Sequence, residues 1–401
     1  MHRLFFSIFA VICLLSTFCL SGCTGSDAAS ILSEDWKTIG ESAKGSMVRF
    51  YMDGSDSRLN AWVDGYVAEQ VKQRYGITLV RVPIGSDVVL ARLMEEKEKG
   101  QGGDIELFCL MGDAFRRAKK EGLIMGPVAE KLPNYVRYVN KRLASYDFGT
   151  PVEGYEVPLG WSQFSFRYAT DRVQQPPRTL LELQAWIKEH PGRFAYPAPP
   201  DFSGTAFLRQ ILCTVAGGPK AGLTEWDQNI FKQTAPKVWA FLNQIKPYLW
   251  AKGKRYPADL KQLRDLFEKG EIDMGVRYGS PYAENQGKVR EGVFYISGGM
   301  LGNMHFMAIP KNAVNKAGAM VVANFLLSPE AQYSKLLPKN GGDCPAIDPD
   351  ALEKEAWKRF AAIDRGPGVL PFGELHREII PEMVPKYSSA LDAGWAANVG
   401  K

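Results

Sequence analysis

The sequence is poor in the residues that most chemistry needs. Its 401 residues hold four histidines, namely His2, His190, His305 and His376. No Cys-x-x-Cys pair and no Cys/His cluster offers a metal site, so no cofactor is expected. A G-x-S-x-G elbow, a Walker A loop, G-x-G-x-x-G and H-E-x-x-H are missing too, which removes the familiar routes to acyl transfer, nucleotide binding and zinc proteolysis. Blocks of one charge sign are absent. The 49 Lys and Arg and 44 Asp and Glu, net +5, are interleaved, and nothing tracks a phosphate backbone, so nucleic acid is excluded as a partner. Beyond the first twenty residues no apolar run approaches the 18 needed to span a bilayer.

What is present begins with that first run. Arg3 precedes uncharged residues 4–20, which are right in length for a secretory signal. The run closes on Leu20-Ser21-Gly22-Cys23, which resembles a bacterial lipobox. Residues 1–22 are predicted to be a signal peptide, Cys23 the acylated first residue of the mature chain, and residues 23–32 a tether. Each buried acyl CH₂ contributes about 0.8 kcal/mol, so such an anchor holds the protein extracytoplasmically at a membrane surface. Cys109, inside Leu107-Phe108-Cys109-Leu110-Met111, reads as a core thiol. A Cys213–Cys344 bridge is left open.

The rest is organised around residues 153–168, EGYEVPLGWSQFSFRY. Pro158 and Gly160 exclude a helix, and Trp161, Phe164, Phe166 and Tyr168 mixed with Ser162, Gln163, Ser165 and Arg167 suit an extended strand. On either side the pattern is strand, helix, strand. Before it come strands at 46–53, 77–82 and 104–110, with helices between. After it, Thr179 to Glu182 has capping-box spacing. A short strand at 193–196 leads to Asp201-Phe202-Ser203-Gly204-Thr205 and another helix. A helix at 259–269 feeds a strand at 272–278, and residues 303–310 read as an extended return crossing. The tail is expected to hold helices at 350–361 and 374–396. The fold class is α/β, with two doubly wound lobes joined by extended hinge crossings. Residues 33–157 with 305–401 form the first lobe and 158–304 the second.

In such sheets ligands sit off the carboxyl ends of strands. The candidates are Asp53, Ser55, Asp56, Gly112, Asp113, Phe115, Trp161, Gln163, Asp201, Ser203, Gly204, Thr205, Tyr278, Ser280 and Asn303. Asp56, Asp113, Ser203 and Thr205 have a second reading as helix caps. Acids outnumber bases at the strand ends, where Arg58 is the nearest cation. That favours a cationic or polyhydroxylated solute over an anion.

Several motifs carry a resemblance: FYMDGSDSRLNAWVD (50–64), YGITL (75–79), GPVAEKLPN (126–134), GYEVPLGWSQF (154–164), GRFAYPAPPDFSGTAFLRQIL (192–212) and NFLLSPEAQ (324–332). From residue 33 onward the chain resembles the ABC-transporter solute-binding lipoproteins of type II periplasmic-binding fold, in the YnjB-like branch near thiamine- and iron-binding proteins. The resemblance implies a monomer that captures a small solute by lobe closure and delivers it to a membrane permease and its ATPase, without catalysis. Tryptophans common in relatives are replaced here by Asp53, Cys109 and Leu159, which implies a different solute. The competing reading is a cell-surface hydrolase using Asp113 or Asp201.

Overall fold

The computed structural model describes residues 28–221, 223–280, 282, 289–377 and 379–400. The lipobox, Cys23 and most of the tether lie outside these.

Twelve strands are present among the described residues: β1 Met47–Met52, β2 Thr78–Pro83, β3 Leu107–Leu110, β4 Tyr146–Asp147, β5 Thr150–Pro151, β6 Val157–Ala169, β7 Phe194–Ala195, β8 Met274–Gly279, β9 Glu291–Phe294, β10 Met300–Ala308, β11 Cys344–Pro345 and β12 Ile379–Pro381. β4 and β5 form a small hairpin. The others share one mixed sheet whose main path runs β2-β1-β3-β10-β6-β8-β7. In the first lobe β1 lies parallel to β2 and β3, joined by helical crossovers as the alternating pattern requires. The first helix after β1 starts on Asp56 and is followed by a π-helical stretch at Val63–Val67. Gly76 then closes this helical run with φ 70°, a left-handed conformation that glycine adopts without a Cβ clash.

The 13-residue β6 joins the lobes. Its first half, Val157 to Gln163, pairs antiparallel with β10, which in turn pairs with β3. Its second half, Gln163 to Tyr168, pairs with β8, and Phe166 to Ala169 also pair with β9. Gln163 belongs to both registers, opposite Gly302 on one side and Gly279 on the other. The even-numbered aromatics of β6 pack one face. Phe166 stacks on Phe294 at 4.8 Å and Phe164 on Phe207 at 6.2 Å. Both phenylalanines are fully buried, and burying such side chains contributes about 1.5–3 kcal/mol apiece.

The tail departs from expectation. Residues 374–396 are two helices, Phe372–Arg377 and Pro385–Asn398, separated by β12. Pro381 and Pro385 forbid one continuous helix. β12 pairs with β10, and the chain then crosses to the second lobe. There Glu382 takes a bidentate bond from Arg209 at 2.9 and 3.0 Å, the Tyr387 hydroxyl accepts from Asp227 N, and Trp395 Nε1 donates to Tyr196. The last helix therefore packs on the second lobe, although chain order assigned it to the first. Cys109, Cys213 and Cys344 are all free thiols.

Candidate functional site

The strand ends of both lobes face one another across β6. A cavity of about 360 Å³ opens there, lined by Asp56, Arg58 and Gly341 from the first lobe and by Arg167, Leu260, Lys261, Arg264 and the Arg277–Ser280 stretch with Tyr282 from the second. Three predicted residues, Asp56, Tyr278 and Ser280, meet in this cavity. The lobes also touch beside it. Ser280 Oγ donates to Asp343 Oδ1 at 2.7 Å, and Arg58 bonds the Tyr282 hydroxyl with its guanidinium 5.0 Å from that ring. Burial would raise the Asp343 carboxyl, but His305, at 2.9 Å, and Lys335 hold it well below the usual carboxylate range. Gly160 makes this cluster possible, because a Cβ there would collide with Asp343 and Lys335.

Tyr278 links the cavity to an aromatic cluster, near which buried acids lie. Phe148, Phe202 and Tyr278 pack edge to face at 6.3 and 4.9 Å. Asn303 donates to Asp147 Oδ1 at 2.8 Å and accepts from Phe148 N, while Gly112 N donates to the other Asp147 oxygen. Burial nevertheless pushes the Asp147 carboxyl up to about 7. Glu156, one residue before β6, is fully buried, and neither carboxyl oxygen has a hydrogen-bond partner among the described residues. Burial, with Asp147 nearby, raises it well above the usual range.

The strand-end acids are engaged locally. Asp53 accepts from Ser55 N at 2.8 Å. Asp56 caps its helix through Arg58 N and Leu59 N, and Asp201 caps Phe202–Val215 through Ser203 N and Gly204 N. Asp113 pairs with Arg116 on the surface. Ser203 and Thr205 are buried, the latter donating to Asp392 at 2.5 Å. Gly204 lies too close to Pro197 O for any Cβ. Phe115 is fully enclosed in the first lobe. The expected acidic lining is thus largely a set of caps, and among the charged residues that line the cavity cations outnumber the one acid, Asp56.

Along β6 the odd-numbered side chains share one face. Trp161 Nε1, both amide atoms of Gln163, Ser165 Oγ, and Nε and Nη1 of Arg167 are all buried without a hydrogen-bond partner among the described residues. Buried polar atoms are normally paired, so such a row marks a surface that expects company. Arg167 and Arg277 were missed as site residues, although an arginine inside the apolar run Met274-Gly275-Val276-Arg277 was a visible signal.

The sequence profile of the bacterial extracellular solute-binding proteins matches residues 66–361. The chain belongs to that family. Its members are non-catalytic solute-binding components of ABC transporters, so the hydrolase reading falls away. The chain is 35% identical over 380 residues to Protein YnjB of Escherichia coli strain K12, covering 92% of this chain and 95% of that one. Its fold matches an extracellular solute-binding protein of Bordetella parapertussis (TM-score 0.66, 14% identity, 88% of this chain and 98% of that one). It also matches the spermidine/putrescine substrate-binding protein PotD of Streptococcus pneumoniae (TM-score 0.63, 14% identity, 88% and 98%). At such identities these likenesses speak for the fold alone. Among the described residues no helix is long and apolar enough to cross a membrane.

Proposed function

We propose that the protein captures a small polar solute between its lobes by bending along β6 and β10, and hands it to an ABC permease and its ATPase. The observation that carries this reading is the row of unpartnered polar atoms on β6, whose last member, Arg167, lines an interlobe cavity. A solute offering hydrogen bonds there supplies what folding left unsatisfied. Of the cationic or polar organic solute expected from the strand-end acids, the polar character is retained; those acids are occupied by backbone N–H groups and Arg116. The sequence argument for a lipid anchor at Cys23 stands beside this. Cys23→Ser is expected to move the protein from the membrane fraction to the soluble fraction.

The test of capture is solution scattering of the purified protein with and without a metabolite extract, followed by mass spectrometry of what remains bound. A smaller radius of gyration with a retained small molecule is expected. Identical profiles and an empty spectrum would sink the reading.

A further inference from the structure

Under the cavity lie two arginines. Arg277 stands opposite Ser165 in the β6–β8 register, and Arg167 follows two residues later on the same face of β6. Their exposures are 5% and 6%. One buried carboxylate faces them both: Glu291, 1% exposed, lies 2.8 Å from Arg277 Nη1 and 3.4 Å from Arg167 Nη1. Arg277 directs further N–H groups at the carbonyls of Ser280 and Tyr282. Arg167 keeps Nε and Nη1 without a hydrogen-bond partner among the described residues. Among the described residues, two guanidiniums over one carboxylate leave a net positive charge in a place that water reaches poorly. Arginine cannot discard it by losing a proton. Asp56, the carboxylate lining the same cavity, is held by Arg58 N and Leu59 N in its helix cap.

Next to this pair the amide of Gln163 is fully buried, with both polar atoms unpartnered. Directly opposite it, Gly279 has no heavy atom within 4 Å of where a Cβ would stand. Gly279 and Arg167 line the cavity, and the unsatisfied amide of Gln163 lies enclosed behind that wall.

We propose that the captured solute is a small anion whose carboxylate or phosphate group lies against Arg167 and Arg277, with a hydroxyl or amide of the same molecule reaching Gln163. A planar guanidinium fork matches either oxyacid group. The inference rests on the capture reading above and names its substrate class.

The test is thermal melting and titration calorimetry of the purified protein at constant ionic strength, with inorganic phosphate, succinate and putrescine as separate probes. Phosphate or succinate should raise the melting temperature, and which of them does so distinguishes the two oxyacid types; putrescine should not. Arg167→Gln should weaken the effective anion at least tenfold. Arg58→Gln, at the cavity rim, should weaken it less and serves if the first variant fails to fold. Arg116→Gln, on the surface beside Asp113, should leave it unchanged. If putrescine alone shifts the melting temperature, capture stands and the anion inference falls. Full anion binding in both Arg167→Gln and Arg58→Gln overturns the assigned site, and a flat response to all three probes overturns the anionic class.

Discussion

The two ends of β6 carry opposite electrostatic problems. At its start, Glu156 and Asp147 are buried carboxyls, with hydrogen bonds from Asn303 and Gly112 reaching only Asp147. Towards its end, Arg167 and Arg277 are buried, with Glu291 as their one carboxylate partner among the described residues. A carboxyl relieves its own burial by taking up a proton, and Asp147 at about 7 is already half-way there at neutral pH. A guanidinium has no such escape. The acidic end can therefore be neutralised by protonation, whereas the basic end keeps its charge, which is where the anion proposed above would act.

The comparison is broken most sharply by Glu291→Gln. Removing the only described carboxylate bonded to the arginine pair strands two buried cations, at a cost of about 3–5 kcal/mol. Denaturant unfolding should show this loss, and added anion should recover part of it. Next in size is the acidic end. A carboxyl whose folded pKa lies above its unfolded value adds nothing against stability below pH 4, and a penalty grows as the pH rises towards 7. From 3.8 to about 7 the penalty reaches roughly 2–4 kcal/mol. Asp147→Asn should flatten the fall in stability between pH 4 and 8, read from melting curves, while Arg167→Gln should leave that slope intact. The smallest effect is expected at the pivot. Gln163→Leu removes an unsatisfied amide and should leave the solute-free protein unchanged or stabilised by about 1 kcal/mol, while weakening solute binding by about tenfold. A variant that lost stability without losing binding would show that the amide serves the fold alone.

The long strand was legible because prolines, glycines and alternating aromatics in residues 153–168 allow little else, and its span in the structure is Val157–Ala169. The Thr179 capping box was equally readable: Thr179 Oγ1 accepts from Glu182 N at 3.1 Å, and Glu182 accepts in return from Arg178 N at 2.7 Å. The acids at strand ends were visible as residues but not as roles. Aspartate before a helix serves its own N–H groups and a ligand with the same oxygens, and local bonds win where the next turn is two residues away. In the sequence Arg167 is simply the polar half of an alternation. Its significance depends on Arg277 and Glu291, which lie 110 and 124 positions downstream, and no local pattern reports such a meeting. The tail escapes local patterns for a similar reason. The attachment of Pro385–Asn398 to the second lobe comes from Glu382, Tyr387 and Trp395 meeting partners far back in the chain.

That attachment has a mechanical consequence. Because β12 runs beside β10 before the tail goes over, three neighbouring segments span the waist of the molecule: β6, β10 and the stretch after β12. Three straps laid side by side fold like the spine of a book. Under the capture proposed above, they would give about one line and resist twisting or sliding of the covers, so each closing would return Ser280 to Asp343 and Arg58 to Tyr282 along the same arc.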